Sequence, residues 1–97
     1  MSFTLRFTPE AKGNLHALGS PSDAARLKKV RRALARLQQN PRYPSLQSHK
    51  YSSLRGSDDE EVWDSYVENH TSSAWRIFWH YGPGAGVITV IAITPHP

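Results

Sequence analysis

The last third of the chain most restricts the possible folds, because three strand-like segments are joined there by very short linkers. The segments EVWDSYVEN, AWRIFWHYG and GVITVIAIT are rich in β-branched and aromatic residues. The linkers, HTSS and GPGA, have four residues each. Linkers this short connect antiparallel neighbours and cannot carry a parallel crossover. The sequence therefore predicts an antiparallel meander of three strands, with the glycines of GPGAG serving a turn.

The N-terminal residues predict a strand followed by a short helix. In SFTLRFT, apolar and polar residues alternate, which is typical of a strand with one buried face. In TPEAKGNLHALG, Thr8 suits the N-cap, Pro9 suits the first helical position and Gly19 can end the helix. Gly13 lies inside this helix and weakens it.

A second, longer helix is predicted from SPSDAARLKKVRRALARLQQNP. Ser20 can cap it, and Pro21 suits its first position. An apolar stripe at helical spacing consists of Leu27, Val30, Leu34 and Leu37. Basic residues cover much of the remaining surface, which is the usual form of a solvated helix but also suits a polyanion or an acidic partner.

These elements predict one α+β domain over residues 1–97 with the order β-α-α-β-β-β. We expect an antiparallel sheet of about four strands, with the two-helix hairpin packed on one face and the other face open. Residues 42–61 show no clear period and are predicted to be a loop. Its DDEE run at 58–61 is read as an exposed acidic loop, with cation binding as the alternative.

Composition excludes several classes of protein. The chain has no cysteine, which removes disulfide frameworks and thiolate zinc sites, and no His spacing suggests a metal. No signal peptide or membrane span is visible, so we expect a soluble cytoplasmic protein without a cofactor. Residues 1–55 contain eleven basic and two acidic residues, whereas residues 56–97 contain one basic and six acidic ones. The basic half favours a polyanion or an acidic protein as partner.

The single late arginine, Arg76, lies in the aromatic strand AWRIFWHYG. Alternation places Trp75, Ile77, Trp79 and Tyr81 towards the helices, where core packing is expected. Arg76, Phe78 and His80 then lie on the open face. Arg76 either pairs across the strands with Glu68, which is a structural role, or grips a phosphate with its planar guanidinium.

The chain resembles the RelE/ParE toxins of bacterial toxin–antitoxin pairs. The resemblance covers nearly the whole chain and is carried by the element order, the basic second helix, LRG at 54–56 and the WRIFW strand. It implies that Arg76 contacts the scissile phosphate, and that His96 acts as acid or base. Nuclease members usually carry Lys or Arg on the outer face of the preceding strand. Here that face offers Asp64, Tyr66 and Glu68.

A metal-independent RNA cleavage needs a base, a positive charge at the phosphate and an acid. We predict Glu68 as the base, Arg76 as the phosphate clamp, and His96 or His80 as the acid. Further RNA-binding residues are predicted from the basic positions, the histidine and the open-face aromatic rings: Lys28, Arg32, Lys50, Arg55, Tyr66, Phe78 and His80.

The resemblance leaves three functions open. The favoured one is a ribosome-dependent mRNA endoribonuclease that inhibits translation. The alternatives are a non-catalytic toxin that inhibits DNA gyrase by protein contact, which the acidic outer strand suits, and a degenerate member that only binds its antitoxin. All three imply a small antitoxin as partner; the first adds the ribosome and mRNA.

Overall fold

The computed structural model describes residues 2–68 and 74–96. It contains two α-helices and five β-strands, with a short 3-10 turn before α2 (Pro21–Asp23) and another before β2 (Pro44–Leu46). The elements in chain order are β1 (Thr4–Phe7), α1 (Pro9–Ala17), α2 (Ala24–Gln39), β2 (His49–Arg55), β3 (Glu61–Tyr66), β4 (Trp75–Tyr81) and β5 (Val87–Pro95). The α+β class and the helical pair are confirmed.

The sheet has five strands in the order β1-β5-β4-β3-β2. The three C-terminal strands form the predicted antiparallel meander. The sheet differs from the expected antiparallel sheet of about four strands in two respects. Strand β1 runs parallel to β5, because the helical pair returns the chain across one face before the meander begins. Strand β2 adds a fifth strand at the opposite edge.

Strand β2 lies in residues that the sequence predicted to be a loop. All of its residues except Tyr51 are exposed, and it pairs with β3 on one side only. Its register against β3 shifts between Lys50 and Arg55. An irregular edge strand has no alternating apolar pattern, because only one of its edges and little of its surface are buried.

Helix α2 begins at Ala24, three residues after Pro21, which was the predicted first position. Residues Pro21–Asp23 form the 3-10 turn, and the Ser20 hydroxyl donates to Asp23 Oδ2 at 3.0 Å instead of capping the α-helix. The predicted stripe is otherwise confirmed, since Val30, Leu34 and Leu37 are buried. The helix ends at Gln39, directly before Asn40-Pro41, because proline cannot continue it.

The main core lies between the helices and the sheet. Trp79 is fully buried there, stacked on Trp63 with ring centroids 5.8 Å apart. Burial of an indole is among the largest single apolar contributions that a small domain can have. A second, smaller cluster on the other face joins Phe78 to Val62 and Ala92, with Tyr51 packed against it. That face is therefore partly covered rather than open.

Helix α1 is fixed to β5 by two polar contacts beyond the end of β1. The Thr8 hydroxyl caps α1 by accepting from the Ala11 N–H, as predicted, and it donates to the Ile91 carbonyl at 2.6 Å. Asn14 Oδ1 accepts from the Ile93 N–H at 2.9 Å. These contacts satisfy backbone groups of β5 that β1 is too short to reach.

The turn between β4 and β5 contains three glycines with positive φ, which are Gly82, Gly84 and Gly86. Only glycine adopts this conformation without cost, so the prediction that they serve a turn is confirmed. The other predicted turn, at 70–73, lies outside the described residues.

Candidate active site

Four strands bring side chains together around the carboxylate of Asp64. This side chain is fully buried on β3. Its Oδ2 lies 3.3 Å from Arg76 Nη1 on β4, 3.5 Å from His49 Nε2 on β2 and 3.6 Å from His96 Nε2, which follows β5. Its Oδ1 is buried and accepts no hydrogen bond from the described residues. One carboxylate oxygen thus accepts a hydrogen bond from Arg76 and lies within 3.6 Å of a nitrogen of each of two histidines.

Arg76 contacts both the Asp64 carboxylate and the aromatic ring of Tyr66. Its guanidinium carbon lies 3.7 Å from the centre of the Tyr66 ring, which is its neighbour across the strands. This cation–π contact and the Asp64 pair leave the side chain 12% exposed. Because Tyr66 is the register partner, Arg76 does not lie opposite Val67 or Glu68. The pair with Glu68, which was one of the two alternatives for Arg76, is not formed, and Arg76 pairs with Asp64.

His49 is held by a hydrogen bond at one of its ring nitrogens. Its Nδ1 lies 2.9 Å from the Gln47 carbonyl, which can only accept, so Nδ1 donates in this contact. Its Nε2 faces Asp64. The side chain is 48% exposed, so this ring can meet a ligand.

A buried chain of hydrogen bonds fixes the residue next to His49. The Trp79 indole N–H donates to the Ser65 hydroxyl at 2.7 Å, and Ser65 lies 2.6 Å from the Ser48 hydroxyl. The Ser48 hydroxyl donates to the Pro41 carbonyl at 2.7 Å. Since Ser48 gives its proton to Pro41, Ser65 is the donor to Ser48. The start of β2 is thereby attached to the core.

His96 reaches the cluster from the end of β5. Its backbone N–H donates to the Ala74 carbonyl at 2.9 Å, and its ring meets the Tyr51 ring edge-on at 5.9 Å. The side chain is 32% exposed. A backbone hydrogen bond and a ring contact thus hold His96 beside Asp64.

Glu68 lies elsewhere. Its carboxylate is 3.8 Å from Arg26 Nε and 3.7 Å from Lys29 Nζ, both on α2, and it accepts from the Trp75 N–H. Strand β3 ends at Tyr66, so the alternation that placed Glu68 on the outer face does not extend to it.

The other predicted RNA-binding residues are dispersed. Phe78 is 2% exposed under the Tyr51 ring, which leaves no face for a base. His80 is 5% exposed, with Nδ1 on its neighbour's carbonyl and Nε2 4.0 Å from Glu60. Lys50 pairs with Glu61 over the helix-side Trp63, and Arg55 pairs with Asp59. Both Lys28 and Arg32 are exposed on α2. Of this set, only Tyr66 joins the Asp64 cluster.

Asp64 and His49 are the two members that sequence reasoning did not place in the site. Asp64 was correctly put on the outer face, the same face as Arg76, and this shared face was the available signal. His49 gave no signal, because its segment was read as a loop and a loop has no predictable face.

Glu60, in the turn between β2 and β3, has a lowered side-chain pKa. Hydrogen bonds from its own backbone N–H and from that of Asp58, helped by nearby His80, lower the pKa of Glu60 below its usual range. The carboxylate also lies against Gly56, where a Cβ would collide with it. This arrangement orders the turn between β2 and β3.

Two features are not found within residues 2–68 and 74–96. No helix there has the length and hydropathy of a membrane span. No group of three or more His, Asp or Glu side chains there is arranged so that it could hold a metal ion.

The fold is that of known bacterial and archaeal toxins. No family model and no curated protein match the sequence. The YoeB/ParE toxin from Agrobacterium tumefaciens matches with a TM-score of 0.72 and 16% identity over 97% of this chain and 99% of that one. The archaeal RelE-RelB complex from Pyrococcus horikoshii matches with a TM-score of 0.68 and 14% sequence identity. The match covers 98% of this chain and 96% of that one. The E. coli RelBE toxin-antitoxin complex matches with a TM-score of 0.60 and 19% sequence identity over 99% of each chain. The chain therefore has the RelE/ParE toxin fold.

Proposed function

We propose that this protein is the toxin of a toxin–antitoxin pair and that it cleaves mRNA on the ribosome without a metal ion. The observation that carries the proposal is the placement of His49 and His96 on one oxygen of Asp64, beside Arg76. The fold supports the toxin role, since its structural neighbours include toxin-antitoxin complexes. The residues around Asp64 supply the groups that RNA cleavage requires.

The reaction proceeds by attack of a 2′-oxygen on the adjacent phosphorus. One imidazole removes the proton of the 2′-hydroxyl while the new P–O bond forms. The second imidazole, as imidazolium, gives a proton to the 5′-oxygen while the old P–O bond breaks. The products are a 2′,3′-cyclic phosphate and a 5′-hydroxyl. Histidine suits both steps, because it changes charge near neutral pH.

Exposure separates the roles of the four residues. The two histidines are the accessible ones, at 48% and 32%, so they are the candidates for proton transfer. Arg76 retains a small exposed part that can meet a phosphate oxygen. Asp64 is buried and cannot touch RNA, so it acts as a positioning residue that orients both rings, as carboxylates do for catalytic histidines.

In this proposal the general base is a histidine and not Glu68. Glu68 is bound to Arg26 and Lys29 on the helix side. The arrangement around Asp64 also weakens the case for the gyrase alternative, which rested on an acidic outer strand. Asp64 is buried and paired with Arg76, so β3 presents little free negative charge to a phosphate backbone.

The partners follow from the same proposal. The ribosome would present the mRNA, and a small antitoxin encoded beside the gene would silence the toxin. Expression of the chain alone should then arrest bacterial growth, and co-expression of the neighbouring protein should restore it.

The decisive test is primer extension on an mRNA in a reconstituted translation reaction. Wild-type protein should produce cuts that require ribosomes. His49→Gln and His96→Gln should each lower the cleavage rate by about 10²-fold or more, the usual contribution of a general acid or base. His16→Gln is the matched control, because His16 is a histidine exposed on α1 and not one of the residues around Asp64.

Two results would contradict the proposal. One is a folded wild-type protein that makes no cuts; inhibition of gyrase supercoiling by that protein would favour the alternative. The other is unchanged cleavage in both site variants, with circular dichroism showing that all proteins are folded.

A further inference from the structure

A basic groove runs along α2 beside the end of β3. Its volume is about 570 Å³. Four basic side chains line it at helical spacing, and they are Arg26, Lys29, Arg32 and Arg36. Their intervals of three, three and four residues keep them on one side of the helix. At a rise of 1.5 Å per residue they extend over about 15 Å, which is long enough for more than one phosphate group.

One acidic side chain occupies this groove. Glu68 lines it and lies within 3.8 Å of both Arg26 and Lys29. The Nε of Arg26 is buried and makes no hydrogen bond with the described residues, although Glu68 is near. Arg26 and Arg36 also lie over the rings of Trp75 and Tyr43, which fixes their guanidinium groups in place. The groove is therefore a rigid cationic surface that Glu68 neutralises only in part.

The groove and the Asp64 cluster share one residue, Tyr66. Tyr66 lines the groove, and its ring also supports Arg76. An extended ligand seated at Arg76 therefore reaches α2 by passing Tyr66. An RNA strand that is cut at the cluster satisfies this requirement, because its phosphates continue on both sides of the scissile bond.

We propose that this groove binds phosphates of the substrate RNA strand next to the cleaved bond, and that Glu68 is an internal competitor which those phosphates displace. The inference rests on the proposed function and extends it. Guanidinium forks match phosphate oxygens, and three of the four cations are arginines. The substitution Glu68→Gln removes the negative charge inside the groove, and Asp23, 4.0 Å from Arg26 Nη1, stays in both proteins. An acidic peptide is the other ligand class with suitable charge, and it is an outcome of the test.

The experiment measures binding separately from cleavage. The probe is a fluorescent single-stranded RNA of about twelve nucleotides whose 2′-oxygens are methylated, so that it cannot be cut by attack of a 2′-oxygen. Affinity is measured by anisotropy over a salt series. Each basic residue that contacts a phosphate should add about 0.7 to the slope of log K against log salt for a single strand.

Arg32→Gln and Arg31→Gln form a matched pair. Arg32 lines the groove, whereas the adjacent Arg31 is exposed on α2 outside it. Arg32→Gln should weaken binding and reduce the slope by about 0.7. Arg31→Gln should leave the slope unchanged. Glu68→Gln keeps an acceptor for the Trp75 N–H and should tighten binding by up to about fivefold, the size of an exposed pair.

Three results would overturn the inference. Equal effects of the two arginine variants would show a diffuse charge effect. Weaker binding by a folded Glu68→Gln protein would show that Glu68 does not compete. Displacement of the probe by poly-glutamate at lower concentration than by RNA would assign the groove to an acidic peptide. A protein that binds the probe as expected but cuts no mRNA would overturn the proposed function and leave the groove assignment intact.

Discussion

Arg76 Nη1 and Asp64 Oδ2 lie 3.3 Å apart in a pair that is fully buried on the Asp64 side. This pair joins the two strands that carry it and replaces the contact expected between Arg76 and Glu68. Burial of two charges is costly, and their mutual attraction offsets this only while both are present. Removal of either partner alone should therefore lower the stability of the fold.

Asp64→Asn should lower the free energy of unfolding by about 3 kcal/mol, because it leaves the buried Arg76 charge without its counter-ion. Urea denaturation measures this loss. Asp58→Asn is the control, since Asp58 is exposed, and it should change stability by no more than about 0.5 kcal/mol. Adding Arg76→Met to Asp64→Asn should cost less than the sum of the single changes, and an additive result would show that the pair is not coupled.

Gly56→Ala should destabilise the protein by about 1–3 kcal/mol, as overpacking does. The new Cβ would collide with the Glu60 carboxylate and lie 3.0 Å from the His80 ring. Gly13→Ala provides the opposite case, because nothing lies within 4 Å of its Cβ in the exposed part of α1. That change should stabilise by about 0.5–1 kcal/mol. Thermal unfolding of both proteins checks the prediction, which fails if both substitutions shift stability in the same direction.

Ser65→Ala should cost about 1–3 kcal/mol, because the buried Trp79 indole N–H loses its acceptor. Ser53→Ala, on the exposed edge of β2, should have little effect. Chemical denaturation of both variants gives the comparison. Equal stabilities would mean that the hydrogen-bond chain from Trp79 to Pro41 contributes nothing net to the fold.

Glu60 should contribute to acid sensitivity. Its folded pKa lies below the ordinary value of 4.5, so its stabilising effect is fully present above that value. The effect is lost as the pH falls through the lower, folded pKa. Glu60→Gln should therefore lose less stability than wild type between neutral pH and about pH 3. Melting curves across this range test the statement, and parallel pH profiles for the two proteins would refute it.

The periodic elements were the predictable ones. Helix α2 and the meander follow from apolar spacing, which reports directly on burial. Strand alternation placed Arg76 and Tyr66 on one face, and the family resemblance marked Arg76 and His96. Strand β2 could not be predicted, since edge pairing through the backbone leaves no side-chain pattern. His49 was missed with it. Glu68 was placed on the wrong face because the strand ends two residues earlier than the alternation suggested.

The parallel pairing of β1 with β5 has a consequence for how the protein folds. The Thr8–Ile91 hydrogen bond joins residues 83 positions apart, and Thr4 pairs with Val87. Contacts of such long sequence separation form slowly, because loop-closure entropy must be overcome first. During synthesis, β1 and both helices emerge before their partner strand exists. His96 follows that strand, so the Asp64 cluster is complete only after residue 96 has been synthesised.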